Sequence, residues 1–175
     1  MKKSINLWSL WAFAAVSVMG TLLHFLYDFS GRSVFAAPFS GVNELTWEHM
    51  KLLFFPMFVF ALIQSLFFRD RGDFFCIKLR GILLGQLLIP VIFYTYNGTF
   101  GRSPDFVNIA IFFISAAAAY FYEARKFEKR DLAWCPQRFS LAIIVLIGAL
   151  FAIFTFYPPR LPLFSDPLTG TFGIG

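Results

Sequence analysis

Five long apolar segments constrain the fold more than any other feature of this sequence. They run over Leu7–Phe29, Leu45–Phe68, Ile77–Tyr96, Phe106–Tyr122 and Phe139–Tyr157. Each is close to the ~20 residues that an α-helix needs to cross the hydrocarbon core of a bilayer. The 175-residue chain is 58% hydrophobic and contains 26 phenylalanines, more than a soluble domain of this length can bury. The sequence therefore predicts an all-α bundle of five transmembrane helices in contact with a lipid bilayer.

The basic residues predict the orientation of this bundle. Eleven of the 15 Lys and Arg residues lie at the N-terminus and in or beside the second and fourth connections, and four lie on the other side. Because cytoplasmic loops carry the excess of positive charge, we expect a cytoplasmic N-terminus and an extracytoplasmic C-terminus. The net charge of +5 does not indicate nucleic acid, since the basic residues form short runs between apolar segments. Protein partners are not identified by the sequence.

The first apolar segment carries a polar stripe. Ser17, Thr21, His24 and Asp28 recur at spacings of four, three and four, so they share one face of a helix. We expect that face to turn toward the bundle interior, because polar groups facing lipid are costly. His24 and Asp28 lie near the predicted extracytoplasmic end.

The start of the second segment has the densest group of ionisable side chains. Asn43 is expected to be the N-cap of a helix in which Glu44, Glu48 and Lys51 fall within a narrow arc, with His49 about a quarter-turn from Glu48. Ionisable residues at membrane depth are functional by default. A structural interpretation stays open, because Glu44 suits the positive end of a helix dipole and Glu48 and Lys51 form an ordinary helix-surface pair.

Further residues are expected to support this polar region. A proline within a helix frees a carbonyl and favours a kink, and amide side chains can satisfy such groups. We expect residues 1–157 to form the transmembrane domain and the Pro- and Gly-rich residues 158–175 to fold back over its extracytoplasmic end. The supporting residues are Asn43, Trp47, Pro56, Gln86, Asn97 and Asp166.

Three blocks of the sequence resemble a known family. They are HFLYDFSG at His24–Gly31, VNELTWEHMKLLFFPM at Val42–Met57 and LFSDPLTGTFGI at Leu163–Ile174. They are similar to the hallmark blocks of a family of small bacterial multi-span membrane proteins catalogued only as a domain of unknown function. The resemblance covers most of the chain and implies a bacterial inner-membrane location, but it carries no activity with it.

One hypothesis for the function is a membrane-embedded enzyme that acts on a lipid-linked ester or phosphate. Its candidate catalytic residues are Glu44, Glu48, His49 and Lys51. Candidate ligands for a divalent metal such as zinc, manganese or non-haem iron are His24, Asp28, Glu48 and His49. A metal-bound water would then be the nucleophile. The sequence contains no H-E-x-x-H motif in support of this hypothesis.

Two alternatives remain open at this stage. In the first, the protein is a structural or accessory subunit whose charged residues form a buried ion-pair network. In the second, it is a small ion- or proton-coupled transporter, against which the odd number of spans and the lack of a visible internal repeat count.

Overall fold

The described part of the chain is mainly α-helical. The computed structural model describes residues 2–129, 136–165 and 170–174. Its elements are α1 (Lys2–Phe29), α2 (Thr46–Ser65), α3 (Phe74–Phe100), α4 (Asp105–Lys129), α5 (Gln137–Phe156) and a 3-10 turn (Pro162–Phe164). Among these residues the only β-type pairing is an isolated bridge between Ser165 and Phe172. The five helices are all long and apolar enough to cross a membrane, which confirms the predicted fold class.

The bundle is apolar on the outside and contains charges on the inside. Large apolar side chains such as Trp11, Leu87 and Phe121 are exposed, whereas the side chains of Lys51 and Glu123 are buried. In water this arrangement would expose a large apolar surface. In a bilayer it places the apolar side chains against lipid and shields the charges from it.

Small residues let the helices approach closely. A Cβ atom built at Gly20 of α1 would lie 2.7 Å from the carbonyl oxygen of Leu52 in α2. That carbonyl is the one that Pro56 leaves without its usual helical donor, because proline has no N–H. The glycine therefore brings α1 against the one point of α2 where the backbone hydrogen bonding is interrupted, although α2 itself continues through Pro56.

Consecutive helices are antiparallel, which gives the bundle two distinct ends. At one end Lys51, near the start of α2, hydrogen-bonds Thr155, near the finish of α5. At the other, Gln137 at the start of α5 bonds the backbone of Arg71 and Phe75 at the start of α3. We call these the Glu48 end and the Glu123 end, after the buried carboxylate that each contains.

The residues that follow α5 contact the Glu48 end. The ring of Phe164 lies 4.7 Å from that of Trp47, measured between centroids. The side chain of Asn43 donates a hydrogen bond of 2.8 Å to the carbonyl of Gly173. Gly173 has a φ of +65°, and a Cβ there would lie 3.0 Å from the Thr155 carbonyl oxygen, so only glycine fits without strain. Asp166, one of the predicted supporting residues, lies outside the described residues.

The start of α2 differs from the prediction. The helix begins at Thr46, and its N-cap position is Leu45, which makes no side-chain capping bond. The prediction that Asn43 is the N-cap is therefore wrong, because Asn43 lies two residues before the N-cap position. Its side-chain oxygen accepts the Leu45 N–H at 3.3 Å, and its amide nitrogen donates to the Gly173 carbonyl. Glu44 precedes the helix, so it does not share a helical arc with Glu48 and Lys51.

Candidate functional site

Glu48 and Lys51 form a buried ion pair one turn into α2. The Lys51 ammonium lies 2.6 Å from Glu48 Oε2. It also donates to the Ala37 carbonyl at 2.8 Å and to Thr155 Oγ1 at 2.8 Å. An ammonium group has three N–H donors, and all three are used here. Glu48 Oε2 additionally accepts the Val42 N–H at 3.0 Å. The pair therefore links α2 to α5 and to the α1–α2 connection, and it leaves no Lys51 donor for a ligand.

A second group of ionisable residues lies beside this pair and is open to the surroundings. Glu44 Oε2 lies 3.5 Å from His49 Nε2, and Glu44 Oε1 lies 3.9 Å from His24 Nε2. The two imidazole rings are 5.9 Å apart between centroids. We call His24, Glu44 and His49 the imidazole cluster. It joins α1, the connection and α2 at one point.

One hydrogen bond settles which nitrogen of His49 is available. Its Nδ1 lies 2.9 Å from the Leu45 carbonyl oxygen. A carbonyl only accepts, so Nδ1 must carry the hydrogen, and in the neutral ring Nε2 then has a free lone pair. The Nε2 atom faces Glu44, whose carboxylate stabilises the imidazolium that forms when Nε2 takes up a proton.

Exposure decreases across the imidazole cluster toward the interior. The exposed fraction of the side chain is 48% for Glu44, 35% for His24 and 21% for His49. His49 is therefore the most buried member of the cluster, and Glu44 and His24 lie between it and the surroundings.

Asp28 lies apart from these two groups. Its carboxylate is 3.6 Å from the guanidinium of Arg32, and both side chains are largely exposed. The four candidate metal ligands are thus divided, because Glu48 is paired with Lys51, Asp28 with Arg32, and only His24 and His49 are neighbours. Within the described ranges, no group of three or more His, Cys, Asp or Glu side chains is arranged to hold a metal ion.

A small cavity adjoins His49, and a larger pocket lies next to that cavity. The first, which we call the small cavity, has a volume of about 20 Å³, and its polar lining comes from Thr46, His49 and Asn108. A cavity needs roughly 10–15 Å³ to hold one water molecule, so this one has room for a single water. The second, the Arg160 pocket, has a volume of about 470 Å³. Thr46 and Phe93 line both spaces, which places the pocket next to the small cavity.

Asn97 positions one wall of the small cavity. Its side-chain oxygen accepts the Ser103 N–H at 2.6 Å, and its amide nitrogen donates to the Phe93 carbonyl at 2.8 Å. The Ser103 hydroxyl donates to Asn108 Oδ1 at 2.7 Å. Hydrogen bonds from Asn97 through Ser103 to Asn108 therefore hold the α3–α4 turn in place, and Asn108 lines the cavity.

Gln86 and Trp47 connect α2 to two neighbouring helices. The Gln86 amide donates to the Met50 carbonyl at 3.2 Å, which ties α3 to the residue beside Lys51. Trp47 packs on Phe151 of α5 with ring centroids 4.3 Å apart. Gln86 therefore contacts the segment that carries Glu48, His49 and Lys51, and Trp47, which belongs to that segment, packs it against α5.

The structure contains a second buried ion pair that sequence reasoning missed. Lys78 Nζ lies 2.6 Å from Glu123 Oε2 at the Glu123 end, and both side chains are almost fully buried. The ammonium also lies 5.4 to 5.7 Å from the ring centroids of three aromatic residues, which are Phe74, Tyr120 and Phe127. In the sequence, Lys78 belongs to a basic run and Glu123 follows the fourth apolar segment, so both resemble ordinary loop charges.

A pattern of small residues could have revealed this pair. Gly81 and Gly85 are four residues apart on α3, and Ser115, Ala119 and Glu123 continue at the same spacing on α4. Such stripes mark close helix contacts in membranes. Glu123 occupies the last position of the α4 stripe, and a Cβ at Gly81 would lie 2.5 Å from its Oε1 atom.

The fold and the buried charges together define a helical membrane protein. Comparison of the sequence with protein families places it more narrowly. The model of a family of unknown function, DUF6512, matches residues 1–174, so the chain belongs to that family. No curated protein and no solved structure matches the chain.

Proposed function

We propose that this protein is a multi-pass enzyme of a bacterial inner membrane that uses the imidazole cluster for acid–base chemistry on a lipid-linked substrate. The excess of basic residues at the N-terminus and the Glu123 end supports a cytoplasmic location for that end. The Glu48 end and the imidazole cluster are then extracytoplasmic. A substrate reaches them from the outer leaflet.

One observation carries this proposal. His49 has an available Nε2 atom, lies beside a carboxylate, and lines a cavity with room for one water next to a much larger pocket. A general base needs a positioned acceptor within reach of the proton it removes. The Leu45 carbonyl fixes the His49 ring, and Glu44 stabilises the positive charge that develops on it.

The chemistry assigned to this arrangement is hydrolysis. His49 Nε2 takes a proton from a water molecule, and the oxygen of that water forms a bond to the phosphorus or acyl carbon of the substrate. The ester bond breaks, and the leaving oxygen takes up a proton from the imidazolium. Glu44 and His24 exchange protons with the surroundings. Acid–base hydrolysis of this kind needs one oriented histidine, whereas a metal site needs donors that the fold separates.

The proposal is tested with the full chain in lipid nanodiscs and lysophosphatidate, a lipid that contains both an acyl ester and a phosphate ester. Phosphorus NMR distinguishes inorganic phosphate from glycerol phosphate and so reports which bond breaks. We expect His49→Gln to lower the rate by about 100-fold or more, the usual contribution of a general base. Asp28→Asn, on the same helix face as His24 but outside the imidazole cluster, should keep the rate. Equal rates in the two variants, or no product from the intact protein, would contradict the proposal.

The two buried ion pairs favour a second candidate, a structural or accessory subunit. Lys51 alone connects three parts of the bundle, which is the arrangement expected of a group that fixes helix positions. Under this alternative the imidazole cluster has no chemical role. The same experiment separates the two, because a structural subunit shows no turnover that depends on His49.

A further inference from the structure

The Arg160 pocket has the size and lining of a ligand site. Its volume of about 470 Å³ falls in the range of roughly 300–1,000 Å³ that small-molecule sites occupy. Its wall combines one guanidinium with the hydroxyl groups of Thr46, Tyr94 and Ser165. The rest of the wall is aromatic or aliphatic, including Phe93 and Phe172. A site of this kind suits a ligand with a polar, oxygen-rich part and an apolar part.

Arg160 is the charged group of this pocket. Two other arginines near helix ends have carboxylate partners, since Arg32 pairs with Asp28 and Arg71 with Asp73. Across the described ranges, no salt bridge includes Arg160. A guanidinium fork matches the oxygens of phosphate and carboxylate groups. The Tyr94 hydroxyl donates to the Pro162 carbonyl, so the hydroxyl groups of Thr46 and Ser165 remain as donors beside Arg160. Donors on more than one side suit the three terminal oxygens of a phosphate group better than the two oxygens of a carboxylate.

An apolar stripe on α3 runs from this pocket toward the middle of the bundle. Leu83, Leu87, Val91 and Tyr94 are all exposed and recur at spacings of four, four and three, so they share one face. Tyr94 belongs both to this stripe and to the wall of the pocket. At 1.5 Å per residue the stripe is about 16 Å long, enough to accompany most of an acyl chain. The ligand's apolar part therefore has a continuous path into the lipid.

We propose that the Arg160 pocket binds the phosphate head group of a single-chain lipid whose acyl chain lies along the α3 stripe. This inference deepens the proposed function and rests on it for the chemistry, since it places a phosphate ester beside the small cavity that His49 lines. The Tyr94 hydroxyl, which donates to the Pro162 carbonyl at 3.2 Å, joins the α3 wall of the pocket to the chain beyond α5.

Binding of chain-labelled lysophosphatidate is measured by fluorescence anisotropy with the full chain in phosphatidylcholine nanodiscs, and empty nanodiscs correct for partition into lipid. Arg160→Gln is expected to weaken binding about 10- to 100-fold, the effect of losing hydrogen bonds to a charged group. Arg32→Gln removes the same charge from the same end of the bundle outside the pocket and should leave the affinity unchanged. Equal affinities in the two variants would overturn the assignment of Arg160.

Competitors distinguish the sources of the phosphate. Unlabelled lysophosphatidate should displace the probe, whereas inorganic phosphate at the same concentration should not, and oleate should compete at least about 10-fold more weakly than lysophosphatidate. If inorganic phosphate competes as well as the lipid, the pocket is a free-phosphate site and the lipid assignment fails. If oleate competes equally, the preference for phosphate fails.

The stripe has its own matched pair of variants. Leu87→Ser lies on the stripe and Leu146→Ser on α5, and the two leucines are similarly exposed, at 61% and 58%. We expect Leu87→Ser to weaken lysophosphatidate binding about threefold or more, because several methylene contacts are lost. Leu146→Ser should not change it. Equal affinities would remove the acyl chain from the α3 face.

The inference and the proposed function can fail separately. His49→Gln should retain lysophosphatidate binding while losing hydrolysis, which supports both. Binding that depends on Arg160, with hydrolysis that does not depend on His49, supports the pocket and contradicts the acid–base proposal. Hydrolysis that depends on His49, with binding that does not depend on Arg160, contradicts the pocket.

Discussion

The two ends of the bundle each contain a buried lysine–carboxylate pair, and the two ammonium groups are stabilised by different surroundings. In both pairs the ammonium lies 2.6 Å from one carboxylate oxygen. In both, the other carboxylate oxygen has no hydrogen-bond partner among the described residues. At the Glu48 end the ammonium is also hydrogen-bonded to a backbone carbonyl and a hydroxyl. At the Glu123 end it is surrounded by three aromatic rings.

This difference shows how much each pair depends on its surroundings. Hydrogen bonds have directions, so Lys51 fixes the positions of Ala37 and Thr155 as well as that of Glu48. Aromatic faces attract a cation over a broader range of geometries. We therefore expect the Glu48 pair to hold the helix ends and connection in one arrangement, and the Glu123 pair to act mainly between α3 and α4.

The largest effect is expected for Lys51→Met. This change leaves Glu48 buried and charged and also leaves the Ala37 carbonyl without its donor. Breaking a buried pair by removing one partner costs about 3–5 kcal/mol of unfolding free energy, and we expect the upper part of that range. Equilibrium unfolding in mixed micelles measures it. A loss smaller than that caused by Lys78→Met would reverse the comparison between the ends.

Double substitutions sharpen the comparison. We expect Lys78→Met combined with Glu123→Met to recover most of the stability that Lys78→Met loses, because replacing both partners of a buried pair by apolar groups is often neutral. Lys51→Met combined with Glu48→Met should recover less, because the Ala37 carbonyl and the Val42 N–H remain without partners. Equal recovery at both ends would mean that the hydrogen bonds to the Ala37 carbonyl and the Val42 N–H contribute nothing to the unfolding free energy.

A smaller effect is expected for Gly81→Ala. A Cβ at Gly81 would clash with the Glu123 side chain, whereas a Cβ at Gly98 of the same helix meets no atom within 4 Å. We expect Gly81→Ala to lower the unfolding free energy by about 1–3 kcal/mol, the usual cost of overpacking. Gly98→Ala should be neutral or stabilising, since alanine favours helix by up to about 1 kcal/mol. Equal effects would show that α3 and α4 adjust freely around the pair.

The smallest effect is expected for Asp28→Asn. The Asp28–Arg32 pair is largely exposed, and exposed pairs contribute about 0–1 kcal/mol. The same unfolding measurement should therefore show a change of less than about 0.5 kcal/mol. A loss comparable to that of Lys51→Met would mean that Asp28 takes part in a network like that of the buried pairs.

The fold was predictable because apolar length is a local property of the sequence. The pairing of Glu48 with Lys51 was also within reach, because residues three apart on a helix are neighbours. The partners of Lys51 were not, since Ala37 and Thr155 are distant in sequence or contribute a backbone atom. The same holds for Glu123, whose burial depends on how α3 and α4 pack. Contacts of this kind depend on tertiary structure and not on local sequence.

The imidazole cluster was predicted only in part. His24, Glu44 and His49 were among the candidates, but so were Asp28, Glu48 and Lys51, which have other partners in the structure. Spacing along a helix could not separate them, because Glu44 precedes α2 and reaches the two histidines through the irregular connection. The pocket that contains Arg160 was not foreseen.

The central claim is that the open imidazole cluster carries the chemistry and the buried pairs carry the stability. The most direct test is the rate of lysophosphatidate hydrolysis per folded molecule, measured for His49→Gln and Gly81→Ala in the same nanodiscs. The account predicts that His49→Gln lowers this rate by about 100-fold or more. Gly81→Ala should leave the rate unchanged although it lowers the stability. Equal rates for the two variants would contradict the account.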